Sequence, residues 1–215
     1  MLSIKKRSLV DMVYDKLRES IIQLQLPLGS KLNVNELQTR MRVSCTPIRE
    51  AINRLQQEGL VSYENNVGAR IISLAPHDVL EIQQLAMTLH CAAIHLAMVN
   101  GDRAVIVAEL RKQLDDYANA KTEHDEVMAF KEFLGSYYHH CGNHRLDRQM
   151  LAIQGQQMLL RYIFASCVPQ RAADVDVLQK MLLDTINGDA DSVCETLQKY
   201  TDRMTRMVEI AVTEL

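Results

Sequence analysis

Between residues 44 and 61 the apolar and polar positions repeat with the period of an α-helix. Ile48, Ala51, Ile52 and Leu55 fall at the three- and four-residue intervals that make one buried stripe, while Arg49, Asn53 and Gln56 or Gln57 point away from it. The spacing predicts a helix over 46–58, with the Thr46 hydroxyl as its cap and Pro47 at the first helical position, where no amide partner is needed. Upstream, Asn33-Val34-Asn35-Glu36-Leu37 opens a shorter helix that continues to Met41, and Arg42-Val43 fills the turn. Two helices joined this closely form a helix-turn-helix, in which 46–58 is the recognition helix. Downstream, residues 60–63 and 69–74 are rich in β-branched and aromatic side chains and flank Glu64-Asn65-Asn66-Val67-Gly68. Two short strands around an Asn/Gly turn read as a hairpin, the wing of a winged helix.

Beyond residue 76 the pattern is helical throughout. Ala75-Pro76-His77-Asp78 reads as an interdomain joint, because proline disfavours helix in the residue before it and Asp78 can cap the next helix. Val79, Ile82, Leu85, Ala86, Leu89, Ala92, Ala93, Leu96 and Ala97 then trace one apolar face, which stops at Asn100-Gly101-Asp102. Further helices are predicted at 102–120, 124–141, 144–166, 172–187 and 189–213, broken by Gly142-Asn143, Pro169 and Asn187-Gly188-Asp189, with Asp189 as the last cap. The expected fold class is mainly α: a winged helix-turn-helix with a small β-hairpin in 1–74, a linker at 75–78, and an all-α bundle of six helices in 79–215.

Charge sharpens this division. Residues 1–76 hold 11 Lys/Arg against 7 Asp/Glu, and residues 77–215 hold 13 against 20, so a net +4 sits beside a net −7 within an overall −3. Attraction to phosphate depends on local charge, so the N-terminal third has the balance of a nucleic-acid binder although the whole chain does not. A length of 215 residues also exceeds the usual single domain of about 100 to 150. No apolar run approaches the roughly 20 residues that span a bilayer, and residues 1–7 lack the apolar core of a secretory signal. A cytoplasmic protein without membrane association is expected. The five cysteines, Cys45, Cys91, Cys141, Cys167 and Cys194, are odd in number and scattered, which suits reduced thiols better than a disulfide framework.

Residues 9 to 74 resemble the winged-helix domain of the GntR family of bacterial transcription regulators. The resemblance rests on Pro27-Leu28-Gly29-Ser30-Lys31-Leu32, Glu36-Leu37, Ser44-Cys45-Thr46-Pro47-Ile48-Arg49-Glu50-Ala51, Leu55, Glu58-Gly59-Leu60-Val61 and Gly68, in that order. It implies that Arg49 reads a guanine by a bidentate contact, that Ser44 and Thr46 meet phosphate beside the helix amides, and that Gly68 belongs to the wing tip. Asn53 on the exposed helix face and Asn66 in the wing turn complete the expected DNA-facing set. Asn35 and Cys45 stand where the family commonly has arginine, which implies a non-standard operator; Arg40 and Arg42 partly restore the charge, Arg42 in a turn that usually holds glycine.

The helical part resembles the ligand-binding domain of the FadR subfamily, through Phe133 followed by Gly142-Asn143, the run Ile186-Asn187-Gly188-Asp189-Ala190, and helices in the expected order. In most members one aspartate and three histidines hold a divalent metal. The corresponding positions here are Phe130, Leu134, Leu178 and Tyr200, which are no ligand set, and Ala86 and His90 replace a common arginine and glutamate. No metal and no cofactor are expected. Either a metal-free pocket accepts a larger or more apolar effector, as in the acyl-CoA-binding members, or side chains fill the cavity and nothing is sensed. Tyr137, Arg161 and His90 are the polar candidates if a pocket survives. His139-His140-Cys141-Gly142-Asn143-His144 is a rival metal constellation, but a helix break at Gly142 would spoil its geometry, and surface histidines are the preferred reading. An enzymatic helical domain lacks support, since no nucleophile-base pair, phosphate loop or convergent carboxylate pair emerges. The resemblance implies a homodimeric repressor on a double-stranded DNA operator, relieved by a small-molecule effector.

Overall fold

Ser8 starts a first helix, α1 (Leu9–Ile22), an element that the sequence pattern did not predict. The Ser8 hydroxyl accepts from the Asp11 amide and the Asp11 carboxylate accepts from the Ser8 amide, both at 3.1 Å, a reciprocal capping box. The Ser8 hydroxyl, which donates to Asp11 Oδ2 at 2.7 Å, then Arg54 and the Ser8 amide, hold the Asp11 carboxyl down to about 2. The structure is a computed structural model that describes residues 8–64, 68–167 and 171–214. It divides into two compact units, Met1–Leu74 with Gln154–Leu159, and Ala75–Ile153 with Leu160–Leu215.

In the first unit α1 buries Val13, Leu17, Ile21 and Ile22, and packs against α3 (Cys45–Gln57), whose stripe of Ile48, Ala51, Ile52 and Leu55 is the predicted one. Between them in the chain lies α2 (Val34–Met41), capped by Asn33 Oδ1, which accepts from the Asn35 amide at 3.0 Å. The cap of α3 is Ser44, two residues before the expected Thr46, and Pro47 is the third helical residue. Pro47 fits there because the first four amides of a helix lack intrahelical partners. The hairpin pairs β1 (Val61–Glu64) with β2 (Gly68–Ile71) antiparallel, from Val61 opposite Ile71 to Glu64 opposite Gly68. The second strand therefore ends three residues before the predicted 74. Beyond it, Ile72 donates to Leu60 and accepts from Gly29, while the Leu32 amide donates to Ala69 and Ile71 to Ser30. The 29–32 segment thus covers the outer edge of β2, which satisfies backbone groups that a two-stranded ribbon leaves open.

The second unit contains α4 (Pro76–Asn100), α5 (Arg103–Ala118), α6 (Glu123–His140), α7 (His144–Cys167) apart from its residues 154–159, which belong to the first unit, α8 (Arg171–Asn187) and α9 (Ala190–Glu214). Its helix breaks follow the sequence: Gly142 and Gly188 take left-handed φ of 68° and 76°, and Asp189 Oδ1 caps α9 by accepting from the Ser192 amide. At its start the chain departs from expectation. Pro76 is the first helical residue of α4 and Asp78 the third, accepting from the Ala75 amide at 2.7 Å, so 76–78 are helix and not linker. The buried face of α4 is also rotated. Val79, Ala86, Ala93 and Ala97 lie inside as predicted, but Leu85 is 49% exposed, and Gln83, Met87 and Ile94 are buried instead. Contrary to the hydropathy expectation, α4 is long and apolar enough by composition to cross a bilayer. In this fold it packs against α6 and α9, the position of a bundle's core helix. Phe130, Phe133 and Tyr137 of α6 are the largest fully enclosed side chains of the unit.

Candidate nucleic-acid interface

The α3 helix separates its two faces completely. Ile48, Ala51, Ile52 and Leu55 are inaccessible, whereas Ser44, Thr46, Arg49, Asn53, Gln56 and Gln57 are exposed. The Ser44 hydroxyl makes no capping hydrogen bond, which leaves it and the amides of the first turn directed outward at a positive helix end. Arg49 lies one turn further on, and its Nε donates to Cys45 Sγ at 2.9 Å. That contact raises the Arg49 pKa further and ties the Nε edge of the guanidinium to the helix, while the side chain stays exposed. Cys45, read from sequence as a lost cation, is thus a side-chain partner of Arg49, a contact that i,i+4 spacing could have signalled. Tyr63 of β1 is a residue that the pattern missed. It is largely exposed, and its hydroxyl lies 3.5 Å from Asn53 Oδ1, at the edge of hydrogen bonding.

Four other arginines of this unit divide into two groups, while Arg70 of β2 donates to the Gly29 carbonyl and pairs with Glu64. Arg54 donates to Asp11 at 2.7 Å and Arg18 to Glu58 at 2.9 Å, so both bind α1 to α3. Glu58 also accepts from the Tyr14 hydroxyl. Arg40, in the last turn of α2, and Arg42, its cap, are exposed beside the start of α3. Arg42 has φ 56° and ψ 43°, the left-handed conformation in which glycine is common, consistent with the turn position inferred from sequence. Asn35 is exposed in the first turn of α2, where its amide is held by the cap. Gly68 has φ +96°, and a Cβ there would meet nothing within 4 Å. Within the chain its requirement for glycine is thus conformational. Asn66 lies outside the described residues.

The residues nominated for an effector pocket are enclosed in the bundle. Phe130 stacks on Tyr200 with centroids 5.1 Å apart, and the Arg161 guanidinium lies 3.2 Å from the Phe130 centroid while donating to the Tyr200 hydroxyl. Tyr200 is pushed up to about 12 by burial. Its hydroxyl and that of Tyr117 donate to Asp174 Oδ2 at 3.3 and 3.0 Å, and Arg203 reaches Asp174 Oδ1 at 2.5 Å. Asp174, Tyr117 and Arg203 were not singled out from sequence; only the three-residue spacing of Tyr200 and Arg203 offered a signal. Leu178, Leu134 and Ala86 are buried, and Tyr137 shares a 2.7 Å hydrogen bond with Thr185. His90 Nδ1 is 3.1 Å from the Tyr138 hydroxyl, and burial, aided by Arg161, lowers its pKa to about 3.

The histidine run does not converge. His140 and His139 both face Glu109, at 3.1 and 3.7 Å, while Cys141 is buried at the end of α6. Among the described residues no group of three or more His, Cys, Asp or Glu side chains is placed to hold a metal ion.

The pattern of the bacterial regulatory proteins of the gntR family matches residues 9–71. An HTH-type transcriptional regulator in an unstable DNA locus of Streptomyces ambofaciens is 36% identical over 120 residues, 56% of this chain and 50% of that protein. The chain thus spans about half the length of this curated relative. An HTH-type transcriptional regulator in the TAR-I ttuE-ttuC' intergenic region of Agrobacterium vitis is 31% identical over 125 residues, 57% of this chain and 73% of that protein. Among solved structures, E. coli McbR/YncC shares the fold with a TM-score of 0.77 at 18% identity, covering 94% of this chain and 98% of that one. The winged helix with its outward arginine helix, the family pattern and the A. vitis relative agree: the chain belongs to the GntR family of bacterial regulatory proteins.

Proposed function

We propose that this chain is a sequence-specific DNA-binding transcription regulator, a repressor that acts as a homodimer on a double-stranded operator. The observation that carries the reading is α3 itself, with an inaccessible apolar face and an opposite face of Thr46, Arg49 and Asn53. In this reading residues 1–74 dock α3 in the major groove, and Arg49 donates both guanidinium arms to guanine O6 and N7. Ser44, Thr46 and the first amides of α3 hold phosphate, Arg40 and Arg42 add phosphate attraction near Asn35, and the wing with Asn66 and Gly68 approaches the minor groove. Cys45 positions Arg49. Residues 79–215 form a FadR-type domain that pairs two copies, so that two recognition helices meet half-sites on one face of the duplex. An effector binding there changes DNA affinity by its difference in affinity between the two states.

The test uses genomic fragments selected by the purified protein. Arg49→Ala should lose about 1 to 3 kcal/mol of discrimination for the selected site, read by gel shift against a scrambled competitor. Its thermal unfolding should match the parent, because the side chain is exposed. Unchanged site-specific affinity would remove Arg49 from its assigned role.

A second reading is supported by the bundle interior, where Phe130, Tyr200 and Arg161 occupy the region of the family's ligand site and contact each other. Here the helical domain pairs subunits and senses nothing. Native mass spectrometry with elemental analysis separates the two: a retained organic molecule favours the sensor, a stoichiometric metal defeats both, and the bare chain mass favours the filled domain.

A further inference from the structure

Helices α4 and α9 run antiparallel, as two contacts on their shared face show. Met87 Sδ lies 3.9 Å from Thr201 Oγ1, and two turns along α4 His95 Nε2 lies 3.4 Å from Asp191 Oδ1. Met87, Cys91 and His95 follow at four-residue intervals on one face of α4, and Asp191, Cys194 and Thr201 share one face of α9. Between the two flanking contacts Cys91 of α4 and Cys194 of α9 face each other, close enough for their thiols to interact. Both are free and half-buried. Cys91 also lines an open groove of about 530 Å³ with Met87, Thr88, Gln198 and Thr201, so a small solute reaches its sulfur. The remaining cysteines have other surroundings: Cys45 touches Arg49, Cys141 is buried, and Cys167 is exposed at the end of α7.

We propose that Cys91 and Cys194 are an oxidisable dithiol, closed by hydroperoxides to an intramolecular disulfide between α4 and α9 and reopened by thiol reductants. Reduced cellular compartments rarely keep structural disulfides, and paired accessible thiols there are typically redox-responsive. The groove assigns the roles. Cys91 lines it with Met87, Thr88, Gln198 and Thr201, so the Cys91 sulfur is the one a peroxide reaches, and Cys194 stands behind it on α9. Cys91 is thus the attacking thiol, reacting as its thiolate. It attacks one peroxide oxygen, the O–O bond breaks, and the departing hydroxide takes up a proton to leave as water. Cys91 is now a sulfenic acid. The Cys194 sulfur attacks the Cys91 sulfur, the S–O bond breaks, and the hydroxyl leaves with the Cys194 proton as a second water. One hydrogen peroxide is reduced to two waters while two thiols become one disulfide.

The reduced full-length protein, treated with equimolar hydrogen peroxide, should lose two of its five thiols. Intact mass should fall by two hydrogens, peptide mapping should show a Cys91–Cys194 link within one chain, and dithiothreitol should restore both thiols. Cys194→Ser should leave a Cys91 sulfenic acid that a dimedone probe captures, and Cys91→Ser should leave Cys194 unmodified at the same dose. The proposal fails if the parent protein accumulates oxygen adducts without the link, links through a different cysteine, or cross-links between chains on a non-reducing gel.

Discussion

The polar side chains of α3 all face outward from an apolar stripe, whereas the bundle interior encloses Asp174, Asp184, Thr185 and Ser136 among its aromatic rings. Arginine has opposite uses in the two regions. Arg49 touches its own helix through Cys45 and otherwise faces solvent. Arg161 lies on the Phe130 ring, and Arg203 is bound to Asp174. A guanidinium with fixed internal partners has little left to offer a ligand, while an exposed one keeps its donors for phosphate or a base edge. The comparison teaches that the charge a region carries says less about binding than where the fold spends its hydrogen bonds.

Phe130→Ala should most strongly disturb the contrast. If the bundle interior is packed by its own side chains, the substitution removes the platform under Arg161 and the stack on Tyr200, at a cost of about 3–5 kcal/mol in urea unfolding. A loss below about 1 kcal/mol would mean that the space is not tightly packed, and would favour an effector pocket. The same variant in gel shift reports whether damage in the bundle reaches DNA binding.

The next largest effect is a pH dependence of the bundle. His90 has an ordinary value of 6.5 and about 3 in the fold, so between those limits the unfolded chain binds the extra proton. Stability is therefore retained above pH 6.5 and lost as pH falls toward 3, by at most about 1.4 kcal/mol per pH unit from this one group. His90→Gln should flatten that part of the stability curve measured by chemical denaturation. An unchanged slope would show that His90 is not the group responsible.

The smallest effect sharpens the comparison on the winged-helix side. Arg42→Gly relieves a left-handed backbone at a non-glycine residue and should stabilise this unit by about 1 kcal/mol in thermal unfolding. If Arg42 meets phosphate as proposed, the substitution should also weaken DNA binding and make the salt dependence shallower, since one cation is gone. Weakened stability would show that the Arg42 side chain holds the turn.

Much of the winged helix was legible because its signals are local. The stripe of α3, the start of α2 near Asn33 and the two short strands of the hairpin each depend on residues a few positions apart. The missed features depend on distant partners. Helix α1 is held by the packing of Leu17 and Ile21 toward α3 and by Arg54 and Arg18 links across more than forty residues or close to it. The position of Ser44 instead of Thr46 as the cap was misjudged because both residues are good caps and the choice depends on which one leaves helical geometry. In α4 a nearly all-round apolar composition hides its orientation, and only the packing against α6 and α9 selects Gln83 for burial and Leu85 for exposure.

By itself the sequence determined the helix order of the bundle and the outward position of Arg49, because these follow from periodicity and short-range spacing, while the family followed from the resemblance of an ordered set of motifs in residues 9–74. Tertiary structure alone decided that Asp174 gathers Tyr117, Tyr200 and Arg203, and that Cys91 meets Cys194. The reason is physical. Side-chain hydrogen bonds and thiol pairs depend on distances of a few ångströms, and those between remote segments are set by how helices pack, not by how far apart residues lie along the chain.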